Sequence, residues 1–456
     1  MRLKDGNFMT YIWKDLPFPL TMKIHVFEIL NEKAFKNGKE LARVRDIGPF
    51  VFKETRLRTI EKWSDDHSYV RITERNIFQF DKERSVSGLE RRIRAINAPL
   101  FLLMGFVVSK VEEFHLTFFS SLVQRILYMI FKFYDDEMIR VQTVDEMLFG
   151  REVGLLKLVS DILKPLKAVG INIPLAVGQY NIGKDFGFID LRNNKTFGPI
   201  EYYTGQTKTG QFNHIRTLNG NLKLNVFRGA CNRIQGTEGT FWGSKLQLGT
   251  SLWLFNSHLC KPMELIYVKN STKLNIFTYR YRMDADQFNL NQRPENRCYC
   301  PKDETKKRCE GILLMKQCLS GAPIVMSNPH FYNTSNLLQR VHGLEPDYEK
   351  HIGFLEAERK LGVTVDIGIR VQLNLDMKKI KDVNALSNFP STIMPYLWFE
   401  EGASISGWIK ILMIFNSYLL EYINYFLAIC GIFGLVFFFI GLYQKNNQLQ
   451  KVSNKS

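Results

Sequence analysis

The clearest periodicity in the chain lies at residues 363–377, VTVDIGIRVQLNLDM. Every odd position from Val363 to Met377 is apolar, and every even position is polar or glycine. A period of two predicts a β-strand that turns one face to a core. Fifteen residues in extended conformation reach about 50 Å, far beyond a typical strand. That length belongs to a bent or tilted barrel strand, with Gly368 as the natural bending point. Shorter strand-like runs occur at residues 22–29, 69–80, 222–227 and 274–283. The chain therefore reads as mainly β.

One region follows a different period. Residues 99–163 are rich in Leu, Phe, Met and Glu. Within 111–133, Phe114, the run from Leu116 to Phe119, Leu122, Ile126, Met129 and Ile130 fall on one broad helical face. Residues 138–149 and 153–163 predict two further helices. The order of elements fits a helical cap at about residues 99–166, inserted into a large antiparallel barrel. The apolar run at 100–108 is too short to cross a bilayer and is expected to pack in the core.

Residues 422–443, YINYFLAICGIFGLVFFFIGLY, carry no formal charge. These 22 residues as a helix cover roughly 33 Å, enough for a hydrocarbon core. Tyr422, Tyr425 and Tyr443 sit at the two ends, where amphipathic rings favour the interface. The tail at 444–456 holds Lys445, Lys451 and Lys455 and no acid, which places it in the cytosol. Residues 1–421 then form the large domain on the other side. The first 20 residues have no apolar signal core, so the natural chain is expected to begin earlier, with a signal or a first membrane helix.

Six of the seven cysteines lie between Cys231 and Cys318; the seventh, Cys430, is in the apolar run. The spacings among Cys298, Cys300, Cys309 and Cys318 do not match the paired C-x₂₋₄-C units of structural zinc sites. With a membrane anchor in the same chain they read as disulfides of an oxidising compartment. Six cysteines allow fifteen pairings, and spacing does not choose among them. Sequons at Asn194, Asn270 and Asn333 agree with a luminal or extracellular domain, and Asn454 falls in the tail.

Composition adds little. The formal charge of +16 comes from 61 basic and 45 acidic residues, interspersed along the chain. No basic helix or nucleic-acid motif concentrates them, so no nucleic-acid partner is expected. Gly178 to Asp185 approaches a phosphate-binding loop, but Asp185 stands where that motif needs a Ser or Thr hydroxyl. There is no G-x-S-x-G elbow and no H-E-x-x-H motif. The eight histidines are dispersed. No enzyme, metal site or cofactor is expected.

Several motifs occur in a specific order. They are Ile47-Gly48-Pro49 with Phe50-Val51-Phe52, Gly236-Thr237-Glu238-Gly239-Thr240-Phe241, and Cys298-Tyr299-Cys300-Pro301. Pro329-His330-Phe331, Gly343-Leu344-Glu345-Pro346 and Pro395-Tyr396-Leu397-Trp398 complete the set. Together they resemble the class B scavenger receptor family, which includes the platelet fatty-acid translocase, lysosomal enzyme receptors and insect sensory neuron membrane proteins. Residues 13–31 look most like the sensory neuron subgroup. One departure is Trp242-Gly243, where the family usually has two prolines.

The resemblance implies an α+β fold: a large antiparallel β-barrel core, an apical helical bundle and an internal hydrophobic tunnel, plus a C-terminal transmembrane helix. It implies two membrane helices and the pairings Cys231–Cys298, Cys260–Cys318 and Cys300–Cys309. The first of these closes a loop worth roughly 4 kcal/mol in chain-entropy terms. The expected function is a membrane receptor or transfer protein at the cell membrane. It would bind lipid-like ligands, fatty-acid-derived pheromones among them, and pass them to the bilayer or to an odorant receptor, with a lipid-carrier protein as a further partner. The alternatives are scavenging of lipoproteins or apoptotic cells, or carriage of a lysosomal enzyme in the lysosomal membrane. Arg125 and Lys132, both in the cap helix, are the candidates to meet a carboxylate or polar head.

Overall fold

The computed structural model describes residues 2–102, 120–133, 137–152, 176–177, 180–181, 185–207, 211–319, 321–377 and 390–453. Its centre is one large antiparallel sheet that curls almost into a barrel. The longer strands of the protein are β1 (Leu20–Ile29), β2 (Ala42–Trp63), β3 (Tyr69–Asp81), β4 (Arg92–Ile96) and β5 (Ile139–Thr143), which pair only with each other, β6 (Thr196–Tyr203) and β7 (Ile215–Leu218). They continue with β8 (Leu252–Asn256), β9 (Lys261–Lys273), β10 (Ile276–Met283), β11 (Ile324–Ser327), β12 (Phe354–Glu358), β13 (Thr364–Met377) and β14 (Thr392–Ser404). Around the wall the order is β7-β6-β3-β2-β1-β14-β13-β12-β10-β9-β8.

The two free edges, β7 and β8, are joined by a two-residue stitch. Ile215 N donates to Gly236 O at 2.9 Å, Thr237 N donates to Trp253 O at 3.0 Å, and Phe255 N donates to Thr237 O at 2.9 Å. Gly236 adopts φ +110, and a Cβ there would lie 2.1 Å from Trp253 O. Only glycine brings the two backbones this close. Closure of this kind covers the edges of β7 and β8 where the stitch runs.

β13 runs through the wall from Thr364 to Met377 as its alternation predicts. Both of its faces are covered, however, and not one. Gln372 and Asn374 are fully buried, because the stretch 325–330 lies over them. His330 N donates to Gln372 Oε1 at 2.7 Å, and Asn374 Nδ2 donates to Val325 O at 3.1 Å and Ser327 Oγ at 3.0 Å. Gly368 serves close packing: a Cβ there would meet the Phe354 ring at 2.8 Å. The irregularities in register fall instead at Leu373/Asn374 and at Glu356/Ala357.

Two expectations fail for tertiary reasons. Residues 138–149 form strand β5 and then a one-turn helix at Val144–Leu148, not a single helix. Pairing with β4, from Arg92↔Thr143 to Ile96↔Ile139, outweighs local helix propensity. Thr143 and Glu146 form a capping box that starts the helix only there. Residues 222–227 form no strand, since Asn232 Oδ1 takes the backbone N–H of Val226 and Phe227 into a loop. Half of the cap, including the helix expected at 153–163, and the phosphate-loop look-alike at Gly178 lie outside the described residues.

The helices α1 (Phe8–Lys14), α2 (Glu32–Lys36), α3 (Ser120–Phe133), α4 (Val144–Leu148) and α5 (Gly407–Ser453) complete the fold. β1 starts opposite Ala403, beside the entry to α5, and ends at Ile29, beside α2. An ion pair from Arg94 to Glu32 at 2.7 Å and one from Lys36 to Glu137 at 2.7 Å gather β4, α2 and the start of β5 at that far end. α5 leaves from the opposite end. Its first turns dock on the barrel through buried Ile409 and Met413. Ser417 Oγ accepts from Phe277 N at 3.1 Å, and Glu421 pairs with Lys360 at 3.0 Å and Arg359 at 3.2 Å. From Tyr425 to Tyr443 the large apolar side chains are exposed, and this is the one described helix long and apolar enough to cross a membrane.

Candidate functional site

In β2 the even positions carry Phe50, Phe52, Glu54, Arg56, Arg58 and Ile60. The parity set by the two phenylalanines continues into the charged residues, so Glu54, Arg56 and Arg58 point into the barrel. β3 does the same with Val70, Ile72, Glu74 and Asn76. The result is an ion network inside the wall. Arg56 pairs with Glu401 at 2.7 Å, Glu54 at 2.9 Å and Glu74 at 3.5 Å. Arg58 pairs with Glu238 at 3.1 Å and Glu74 at 3.3 Å and donates to Trp13 O at 2.6 Å. Arg192 reaches Glu401 at 3.6 Å.

Glu238 comes from the stitch that closes the barrel, so closure and ion network share one motif. Its carboxylate also accepts from Asn213 Nδ2 and Thr240 Oγ1. Asn213 in turn accepts from Trp13 Nε1 at 2.7 Å, and the Arg58 guanidinium lies 4.8 Å over the Trp13 ring. Trp242, at the departure from the double proline, is buried and donates to Thr364 Oγ1 at 2.8 Å. Among these groups are three guanidinium and four carboxyl groups. Burial pushes the Glu54 carboxyl upward, despite the pull of Arg56. Burial acts likewise on Glu401, but Arg192 and Arg56 outweigh it and hold that carboxyl low.

Two cavities flank the network and share Arg56, Glu238, Asn256 and Glu401 in their walls. One, of about 40 Å³, also touches Asn76, Arg192, Tyr202 and His258. The other, of about 50 Å³, is mostly apolar, with Phe18, Leu20, Leu254, Ile367, Ile369 and Ala403. Leu20 and Ala403 belong to the barrel end from which α5 departs. Each cavity has room for about one or two waters. Among the described residues, two small chambers thus border the ion network from either side.

A second polar cluster ties six segments together. Asp46 accepts from His25 Nδ1 at 3.0 Å, His330 Nε2 at 2.9 Å and Trp398 Nε1 at 2.9 Å. Glu345 N donates to His330 Nδ1 at 3.0 Å, which fixes the tautomer. His351 stacks on His330 at 4.2 Å. Burial, though opposing, is outweighed by His25 and His330, which hold the Asp46 carboxyl well below its ordinary range. Burial and the neighbouring His330 push the His351 imidazole down to about 4. The Pro329-His330-Phe331, Gly343–Pro346 and Pro395–Trp398 motifs meet here, and the bonds they make are structural. No group of three or more His, Cys, Asp or Glu among the described residues is placed to hold a metal ion.

The six cysteines are bonded as Cys231–Cys298, Cys260–Cys318 and Cys300–Cys309, with Cα separations of 5.7, 6.4 and 5.8 Å. Asn194, Asn270 and Asn333 are all exposed. Arg125 and Lys132 sit seven residues apart on one side of α3, exposed, with the exposed apolar side chains Leu122, Ile126 and Met129 on the same helix. They belong to α3 and not to the interior network. Sequence reasoning missed Arg56, Arg58, Arg192 and their glutamates. The signal for the first two was present, as the unbroken parity from Phe50 to Ile60.

Comparison with known proteins adds the remaining findings. The profile of the CD36 family matches residues 1–444. Scavenger receptor class B member 1 of Cricetulus griseus is 26% identical over 98% of this chain and 83% of its own length. Sensory neuron membrane protein 2 of Ostrinia furnacalis is 26% identical over 89% of this chain and 79% of its own. Lysosome membrane protein 2 of Mus musculus is 25% identical over 96% and 86%.

Proposed function

The chain belongs to the CD36 family, and on that premise we propose that it is a membrane receptor for hydrophobic, lipid-like ligands. It takes them into the barrel domain and hands them through an internal passage to the bilayer or to a neighbouring odorant receptor, fatty-acid-derived pheromones being the ligand class. The supporting observation is the apolar chamber walled by Phe18, Leu20, Ile367 and Ala403 at the barrel end where α5 leaves for the membrane. Each methylene kept out of water favours binding by about 0.8 kcal/mol, so a long chain is held without covalent chemistry. Arg125 and Lys132 on α3 are the groups that meet the carboxylate or polar head. The domain acts by binding and not by catalysis. It faces the cell exterior, with glycans on Asn194, Asn270 and Asn333 and with residues 444–456 in the cytosol.

The test is binding and transfer by the full chain in lipid nanodiscs, using a fluorescent long-chain fatty acid as the probe. Saturable binding followed by delivery to acceptor vesicles is expected; no saturable binding defeats the reading. A second reading, uptake of lipoproteins or dying cells or carriage of a lysosomal enzyme, is favoured by the match to the scavenger receptor, which covers more of this chain than the sensory neuron match does. Expression separates the two. Olfactory neurons support the first, and phagocytes, gut or the lysosomal membrane the second.

A further inference from the structure

On the outer wall, away from the barrel interior, a cavity of about 150 Å³ lies between the β8–β9 pair and the Pro294–Tyr299 turn. Its walls are fixed. The Cys231–Cys298 disulfide staples one rim to the other, and Asn296 Nδ2 donates to Gln287 O at 2.9 Å. Lys261 lines it and is only 6% exposed. Buried ammonium groups are ordinarily paired with a carboxylate. Among the described residues the Lys261 ammonium has a single long hydrogen bond, 3.4 Å to Asn296 Oδ1, and sits 4.3 Å over the Tyr299 ring. The nearby acids are spent elsewhere: Arg293 takes Asp284 at 2.6 Å, Glu264 at 2.9 Å and Glu295 at 3.4 Å. Gln287, 4% exposed, lines the same cavity, and its Oε1 finds no hydrogen-bond partner among the described residues.

We propose that this pocket binds a short carboxylate that carries a hydrogen-bond donor on the adjoining carbon, a small hydroxy acid or amino acid. The carboxylate meets the Lys261 ammonium, and the hydroxyl or ammonium donates to Gln287 Oε1. A ligand of about six non-hydrogen atoms matches a cavity of about 150 Å³, and none of the residues that line it lines the two chambers beside the ion network. Burial pushes the Lys261 amine down to about 8, and a bound carboxylate restores the charged form. Affinity therefore falls as pH rises through that value.

Ligand-observed NMR on the full chain in nanodiscs tests this with L-lactate, L-alanine and acetate as probes. Saturable binding of lactate and alanine is expected at about 1 mM, with acetate weaker. Lys261→Met weakens all three at least about tenfold, and Gln287→Leu weakens lactate and alanine while leaving acetate unchanged. If Lys261→Met does not fold, Gln287→Leu and the loss of lactate affinity above pH 8 decide the matter. No saturable binding up to about 50 mM, or unchanged lactate affinity in Gln287→Leu, overturns the proposal.

Discussion

Replacing Arg58 with methionine tests the reading of the barrel interior most directly. Arg58 is 2% exposed, and the change keeps most of its stem while deleting the guanidinium. Glu74 retains Arg56 at 3.5 Å, but Glu238 is left with the neutral donors Asn213 and Thr240. Removing one partner of a buried ion pair costs about 3–5 kcal/mol, much of it the stranded charge. For a domain of some 420 residues the unfolding entropy is about 0.9 kcal/mol per degree, so Tm should fall by about 4 °C. Glu238→Gln alone leaves Arg58 its Glu74 partner and should cost about half as much. The double variant should resemble Arg58→Met and fall short of the sum, with a coupling of about 2 kcal/mol. Differential scanning fluorimetry of the full chain in nanodiscs reads all of this. A shift below about 1 °C for Arg58→Met, or strict additivity in the double variant, would refute a buried, coupled network.

Three further outcomes follow from the same geometry. Gly236→Ala places a Cβ 2.1 Å from Trp253 O at the barrel seam, and a loss of at least about 3 kcal/mol is expected, seen as retention of the chain in the secretory pathway; surface delivery at the parent level would contradict the seam. Reducing or removing Cys231–Cys298, whose sequence separation is 67, should cost about 4 kcal/mol, measurable as a Tm drop of Cys231→Ser with Cys298→Ser. His351 is held neutral down to about 4 in the fold, whereas an unfolded imidazole protonates near 6.5. The unfolded chain thus binds more protons in that window, and stability falls as pH drops from 6.5 to 4. Solvent reaches part of the imidazole surroundings, which limits the effect to about 2 kcal/mol. His351→Gln should flatten this stretch of the pH–Tm curve.

The places where sequence and structure part company share a cause. Residues 363–377 and 422–443 were legible because their signal is local: a period of two for fifteen residues, or 22 uncharged positions in a row. At residues 138–149 the local preference for helix was real, but β4 supplies five cross-strand partners from more than forty positions away. At Gln372 and Asn374 polarity suggested solvent, yet the stretch 325–330 supplies hydrogen bonds that make burial tolerable. Arg125 and Lys132 drew attention as basic residues on an amphipathic helix. The interior arginines did not, because a charge on a strand ordinarily reads as outward-facing.

By itself the amino-acid order determined the strand-rich body, the membrane helix, the concentration of cysteines in one stretch and the membership that the ordered motifs express. Those properties reside in hydrophobic period, uninterrupted apolar length and short contiguous motifs. Spacing left the cysteine pairings open and the family resemblance implied those the structure shows; tertiary structure alone decided that Gly236 and Thr237 seal the β7 and β8 edges, and that Glu54, Arg56, Arg58 and Glu238 meet inside the wall. Each of these depends on groups far apart in the chain reaching within a few ångströms, and the free energy of a buried charge is set by those neighbours and not by its place in the sequence.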